Sequence, residues 1–126
     1  MDLHDTALVA AGAIGSAVSI VHGVLTERYM VRPLVDIAGK NGTPPSILRL
    51  VPVLLHFSTF VWLLGGLALI AAALRFGPQA RLTTIAFVGA CYAFAAIGNC
   101  WATRGRHPGW MLMALAVVLI AVAAAR

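Results

Sequence analysis

Between Arg49 and Arg75 the chain carries no aspartate, glutamate, lysine or arginine, and most positions are aliphatic or aromatic. That run is the strongest constraint on the fold. In water it would present a large apolar surface with little to cover it. In a bilayer, whose hydrocarbon core is about 30 Å thick, about 20 apolar helical residues cross from side to side. Three further apolar segments are present, so spans are expected at 7–30, 47–74, 82–102 and 110–125. A backbone in lipid must satisfy its own hydrogen bonds, which leaves helices or a closed barrel. Ala and Leu dominate and no period-2 alternation occurs, so helices are expected.

Composition agrees. Charged residues make up 10% of the chain and hydrophobic residues 61%, whereas a soluble domain carries roughly a quarter charged residues. Mean hydropathy is +0.94. The expected fold class is an all-α membrane protein, a four-transmembrane-helix bundle forming one integral domain over residues 1–126.

The breaks between spans contain turn formers. RFGPQAR (75–81) holds Gly77 and Pro78, and TRGRHPG (103–109) holds two glycines and Pro108. The first connection, VRPLVDIAGKNGTPPS (31–46), is the longest, and its mixture of apolar and charged residues suits a short helix lying in the interface. The start MDLHDT lacks a basic region and a cleavage site, so the first span is expected to stay in the protein.

The net charge of +5 includes no dense basic run, so nucleic acid is not an expected partner; the bilayer is. Arg28, Arg32, Lys40, Arg49, Arg104 and Arg106 fall on one side of the expected topology, and Arg75, Arg81 and Arg126 on the other. Six against three marks the first side as cytoplasmic, with both termini outside a bacterial inner membrane. Trp101 and Trp110 would bracket the last connection at that interface.

Cys91 and Cys100 share a span, and nine residues at about 100° each place them on opposite faces, so they are expected as separate thiols. Ala11, Gly15, Ser19 and Gly23 recur every fourth residue on the first span, a small-residue face suited to packing within the bundle or to a homo-oligomer seam.

Polar residues within the spans gather at one level. His22 precedes the end of the first span and His56 follows the start of the second, both about 7 to 9 Å below the same edge. Asn99 returns to that level on the third, on a stripe with Tyr92, Ala96 and Thr103. Ser19 and Thr26 accompany His22, and Thr59 accompanies His56. Such residues are costly in lipid and turn toward an interior, a partner or a ligand.

Three roles follow: hydrogen-bonded contact between helices, a haem b or transition-metal site, or a polar path for a proton, ion or small solute. In the second, His22 and His56 would be metal or axial ligands, Asn99 an orienting group, and Arg28 and Arg49 partners for anionic groups. His4 and His107 are expected as solvated residues. Glu27, Arg28, Arg32 and Asp36 form a charged patch expected as an interfacial anchor beside Tyr29 and Met30; within it Glu27 could pair with Arg49 or with an arginine of the third connection, and Arg32 with Asp36 if that segment is helical. No hydrolytic or phosphoryl-transfer motif occurs, so any enzymatic role would be redox chemistry through a bound cofactor.

LLHFSTFVWLLGGLALI (54–70) resembles the His, then Trp, then Gly-Gly pattern of small helical membrane families such as the copper-resistance CopD-type proteins. With HGVLTERYMVRPL (22–34) it is also similar to small bacterial four-helix membrane proteins. The four-helix protoporphyrinogen oxidase family, which carries haem-associated membrane histidines, is a further point of similarity. The resemblance covers two helices and implies counterparts for His22, His56, Trp62, Gly65 and Gly66. The first helix departs from the oxidase pattern by lacking its tryptophan and aromatic surround. FSTF (57–60) is similar to a motif of small fluoride channels, but stands in a different helix here, so no role is carried over.

Three function classes are therefore open: a haem, metal or small-ligand binder, a small transporter or channel, and an accessory subunit of a larger membrane complex.

Overall fold

The computed structural model describes residues 2–125. Its described residues are helical throughout, with short turns and no strand: α1 (Leu3–Thr26), a π-helical segment (Glu27–Val31), α2 (Arg32–Lys40), α3 (Pro45–Leu74), α4 (Pro78–Ala102) and α5 (Gly109–Ala124). Three helical stretches, Leu3–Lys40, Pro45–Arg75 and Pro78–Ala102, are long and apolar enough to cross a membrane. α5 is apolar but has 16 residues, about 24 Å of rise against a hydrocarbon core of about 30 Å.

Local chemistry sets the boundaries. Asp2 and Asp5 form a capping box: the Asp2 carboxylate accepts the Asp5 N–H at 2.8 Å, and the Asp5 carboxylate accepts the Asp2 N–H at 3.4 Å. Gly42 closes α2 with φ +76°, a left-handed conformation that glycine adopts without a Cβ penalty. Gly77 precedes α4 and Pro78 opens it, where a missing N–H leaves no helical bond unmade.

α2 is not a detached interfacial helix. It continues α1 through the π segment, and none of its residues is fully buried. Pro33 at its start has no N–H to give a carbonyl one turn back, and the wider π turn just before it accommodates that gap.

α1 packs against α3 and α5, and α4 packs against α5 and α3, so the four longer helices close a ring. Leu8, Leu69, Tyr92 and Met113 are fully buried among small residues such as Ala11, Ala72 and Ala116. Ala11, Gly15 and Ser19 are buried within the chain. A Cβ at Gly12 would lie 2.5 Å from the Gly66 carbonyl oxygen, so α1 and α3 touch backbone to backbone. Gly15 makes room for the Tyr92 ring, and Gly23 faces Thr59.

Large apolar side chains also cover the outside. Phe94 is 80% exposed, Phe87 72% and Ile97 70%, with Phe57, Phe60, Leu64 and Leu67 also exposed on α3. Soluble monomers rarely show apolar surface on this scale, whereas lipid covers it without cost. Cys91 and Cys100 are separate thiols.

Candidate functional site: a cavity at the π-segment end

α1 and α3 meet along a seam whose centre is Gly12 against Gly66 and Gly23 against Thr59. On α3, His56 and Ser58 flank that seam on opposite sides, because two residues turn a helix by about 200°. Each flank finds a different partner on α1. The two histidines therefore share a level but not a site.

On one flank, His22 Nε2 lies 3.3 Å from Ser58 Oγ and 3.3 Å from Thr26 Oγ1. Ser58 Oγ donates to the Leu55 carbonyl at 3.3 Å. The His22 ring packs on Trp62, with centroids 4.5 Å apart and planes tilted by 46°. Trp62 is buried, and its carbonyl accepts the Tyr92 hydroxyl at 2.9 Å.

This flank opens into a cavity of about 440 Å³ between α1 and α5. Aliphatic side chains of α1 and α5 form most of its wall, and Trp62, Asn99 and the His107–Gly109 turn complete it. Asn99 Nδ2 donates to the Ala95 carbonyl at 2.8 Å, and the Asn99 main-chain carbonyl accepts the Thr103 hydroxyl at 2.6 Å. His107 Nδ1 accepts the Gly109 N–H at 3.0 Å. His107, expected as a solvated residue of a basic turn, is exposed as expected and also borders the cavity. Its turn folds back at Arg104 and Gly105, both with positive φ. The turn itself is marked by its two glycines and Pro108, but the sequence does not say which helix the His107 ring meets.

On the other flank, His56 Nε2 lies 3.2 Å from Glu27 Oε2, and Arg32 Nε donates to Glu27 Oε1 at 3.1 Å. Glu27 is the first residue of the π segment. Its partners are His56 and Arg32 rather than Arg49 or the third connection, and Arg32 turns back to it rather than forward to Asp36. His56 does not line the cavity. Arg28 and Arg49 are exposed and do not line it either. Of the five candidate site residues, the structure brings together His22 and Asn99. Among the described residues no group of three His, Cys, Asp or Glu side chains converges as a metal cage would require.

At the opposite end Asp5 pairs with Arg81, tying α1 to α4. His4 Nδ1 lies 3.0 Å from the Val122 carbonyl, tying α1 to α5, where a solvated residue was expected.

The fold and cavity together define an all-helical protein of apolar helices with one mostly aliphatic pocket at one end. No protein-family model, curated protein or solved structure matches the chain.

Proposed function

We propose that this chain is a four-span integral protein of a bacterial inner membrane, with both termini outside, that binds a small, largely apolar ligand in the His22–Trp62–Asn99 cavity. The observation that carries the reading is the cavity itself: about 440 Å³ of mostly aliphatic wall with a few polar groups at one end, the composition of a small-molecule pocket. α5 is accommodated as a short fourth span by local thinning of the bilayer.

The residue set fits an organic ligand better than a two-histidine haem or metal centre. Of the expected ligand pair only His22 lines the cavity, where the other histidine is His107 of the last turn, and His56 is engaged with Glu27 across the seam. A site built on His22 and His56 would require His56 to leave Glu27 and cross the Gly23–Thr59 contact. Transport and an accessory role in a larger complex have no comparable cavity-scale support.

The test uses a Trp101→Phe, Trp110→Phe chain, in which Trp62 is the remaining tryptophan, in phosphatidylcholine nanodiscs. Titration with 4-octylanisole should change Trp62 emission saturably, and Ala17→Phe, at an exposed position on the cavity wall, should abolish the change. A non-saturable response, or a stoichiometric Soret band in the purified protein, overturns the reading.

A further inference from the structure

The cavity has a polar end and an apolar body, and the hydrogen bonds around it assign the polar atoms. His107 Nδ1 accepts the Gly109 N–H, so the neutral ring carries its proton on Nε2 and donates from there. Ser58 Oγ gives its hydrogen to Leu55, so toward His22 it accepts. His22 Nε2 is then the protonated nitrogen and Nδ1 the acceptor, with no hydrogen-bond partner among the described residues. Asn99 uses one amide hydrogen on Ala95 and keeps the other.

The residues lining the pocket thus offer two unused acceptors, His22 Nδ1 and Asn99 Oδ1, and two unused donors, the second Asn99 amide hydrogen and His107 Nε2–H. No aspartate, glutamate, lysine or arginine lines it, so a charged head group would find no counter-charge in its wall. A hydroxyl matches the set, because it donates and accepts at once. Trp62 supplies an aromatic wall beside His22. Val21 and Leu112 line the same cavity, and they are 58% and 46% exposed, so its apolar side reaches the outer surface between α1 and α5. In a bilayer that surface faces acyl chains.

From this geometry we infer that the ligand is a lipid-soluble phenol or quinol: an uncharged aromatic ring whose hydroxyl meets His22, Asn99 and His107, with an alkyl substituent trailing between α1 and α5 into the lipid. This rests on the pocket reading above and names the class of its ligand.

The probes are 4-octylphenol and 4-octylanisole, alike except that the ether has no O–H to donate. Each is titrated into the single-tryptophan chain in phosphatidylcholine nanodiscs. The phenol should bind about tenfold tighter, one hydrogen bond's worth of discrimination. His22→Phe, which removes the ring acceptor, should bring the phenol down to the affinity of the ether, whereas Asn99→Leu, which removes a donor open to both oxygens, should weaken both probes. Equal affinities in the otherwise unaltered chain overturn the hydroxyl-bearing class and leave the pocket standing. Failure of both probes to saturate overturns the class and the pocket together. A phenol response that persists in Ala17→Phe comes from outside the cavity and also overturns the inference. The two-probe comparison needs neither polar-site variant, so the inference is decided even if those variants fail to fold.

Discussion

The Tyr92 hydroxyl donates to the Trp62 main-chain carbonyl at 2.9 Å, in a fully buried contact that links α4 to α3. The same tryptophan walls the cavity and packs on His22, so one hydrogen bond joins the bundle core to the site. Tyr92→Phe keeps the ring and removes the bond. It should destabilise the protein by about 1 kcal/mol, measured by reversible unfolding in mixed micelles, and should alter Trp62 emission.

Gly15 is required by the Tyr92 ring, which occupies the space a side chain there would need. Gly15→Ala should destabilise by about 1–3 kcal/mol through overpacking. Gly98 has nothing within 4 Å of a built Cβ, so Gly98→Ala should be neutral or slightly stabilising, by up to about 1 kcal/mol from helix propensity. The same unfolding assay separates them; equal losses would contradict the packing described.

His22 and His56 should behave differently despite their common level. His56→Ala removes a pair whose side chains are 36% and 38% exposed, and Glu27 retains Arg32, so the loss of stability should be small, as for exposed ion pairs generally. It should leave 4-octylphenol binding unchanged. His22→Ala should weaken that binding about tenfold, one lost hydrogen bond. Matching losses of affinity in both variants would argue for a shared site.

The start of α1 and the end of α5 lie together at the Asp5–Arg81 end of the bundle, since His4 reaches the Val122 carbonyl there. On the proposed topology, with both termini outside, alkaline phosphatase, active only outside the inner membrane, should be active when fused at either terminus and inactive when fused in the Thr103–Gly109 turn. Activity at one terminus only would require an odd number of spans.

The Asp5–Arg81 pair is partly shielded, its side chains being 20% and 12% exposed. Asp5→Ala leaves the guanidinium short of an acceptor in a half-closed setting and should cost about 1–3 kcal/mol. Unfolding measurements on Asp5→Ala, Arg81→Ala and the double variant should show coupling, the double losing less than the sum of the singles.

Much of the fold was legible before any coordinates. Apolar length and glycine–proline turns place the four longer helices, because both are local properties of the chain. The common level of His22, His56 and Asn99 follows from rise per residue alone. The π segment was not legible: Pro33 marks a missing donor, but whether the backbone breaks or widens there depends on what it packs against.

The sequence by itself determined that the chain is helical and apolar and at which level its polar groups lie, since spacing along an axis needs no partner. Only the tertiary structure decided that His22 faces the cavity while His56 faces Glu27, and that His107 returns to the cavity wall. The reason is rotational. A helix offers several flanks at every level, and the contact of Gly12 with Gly66 and of Gly15 with Tyr92 selects which flank of α1 meets its neighbours.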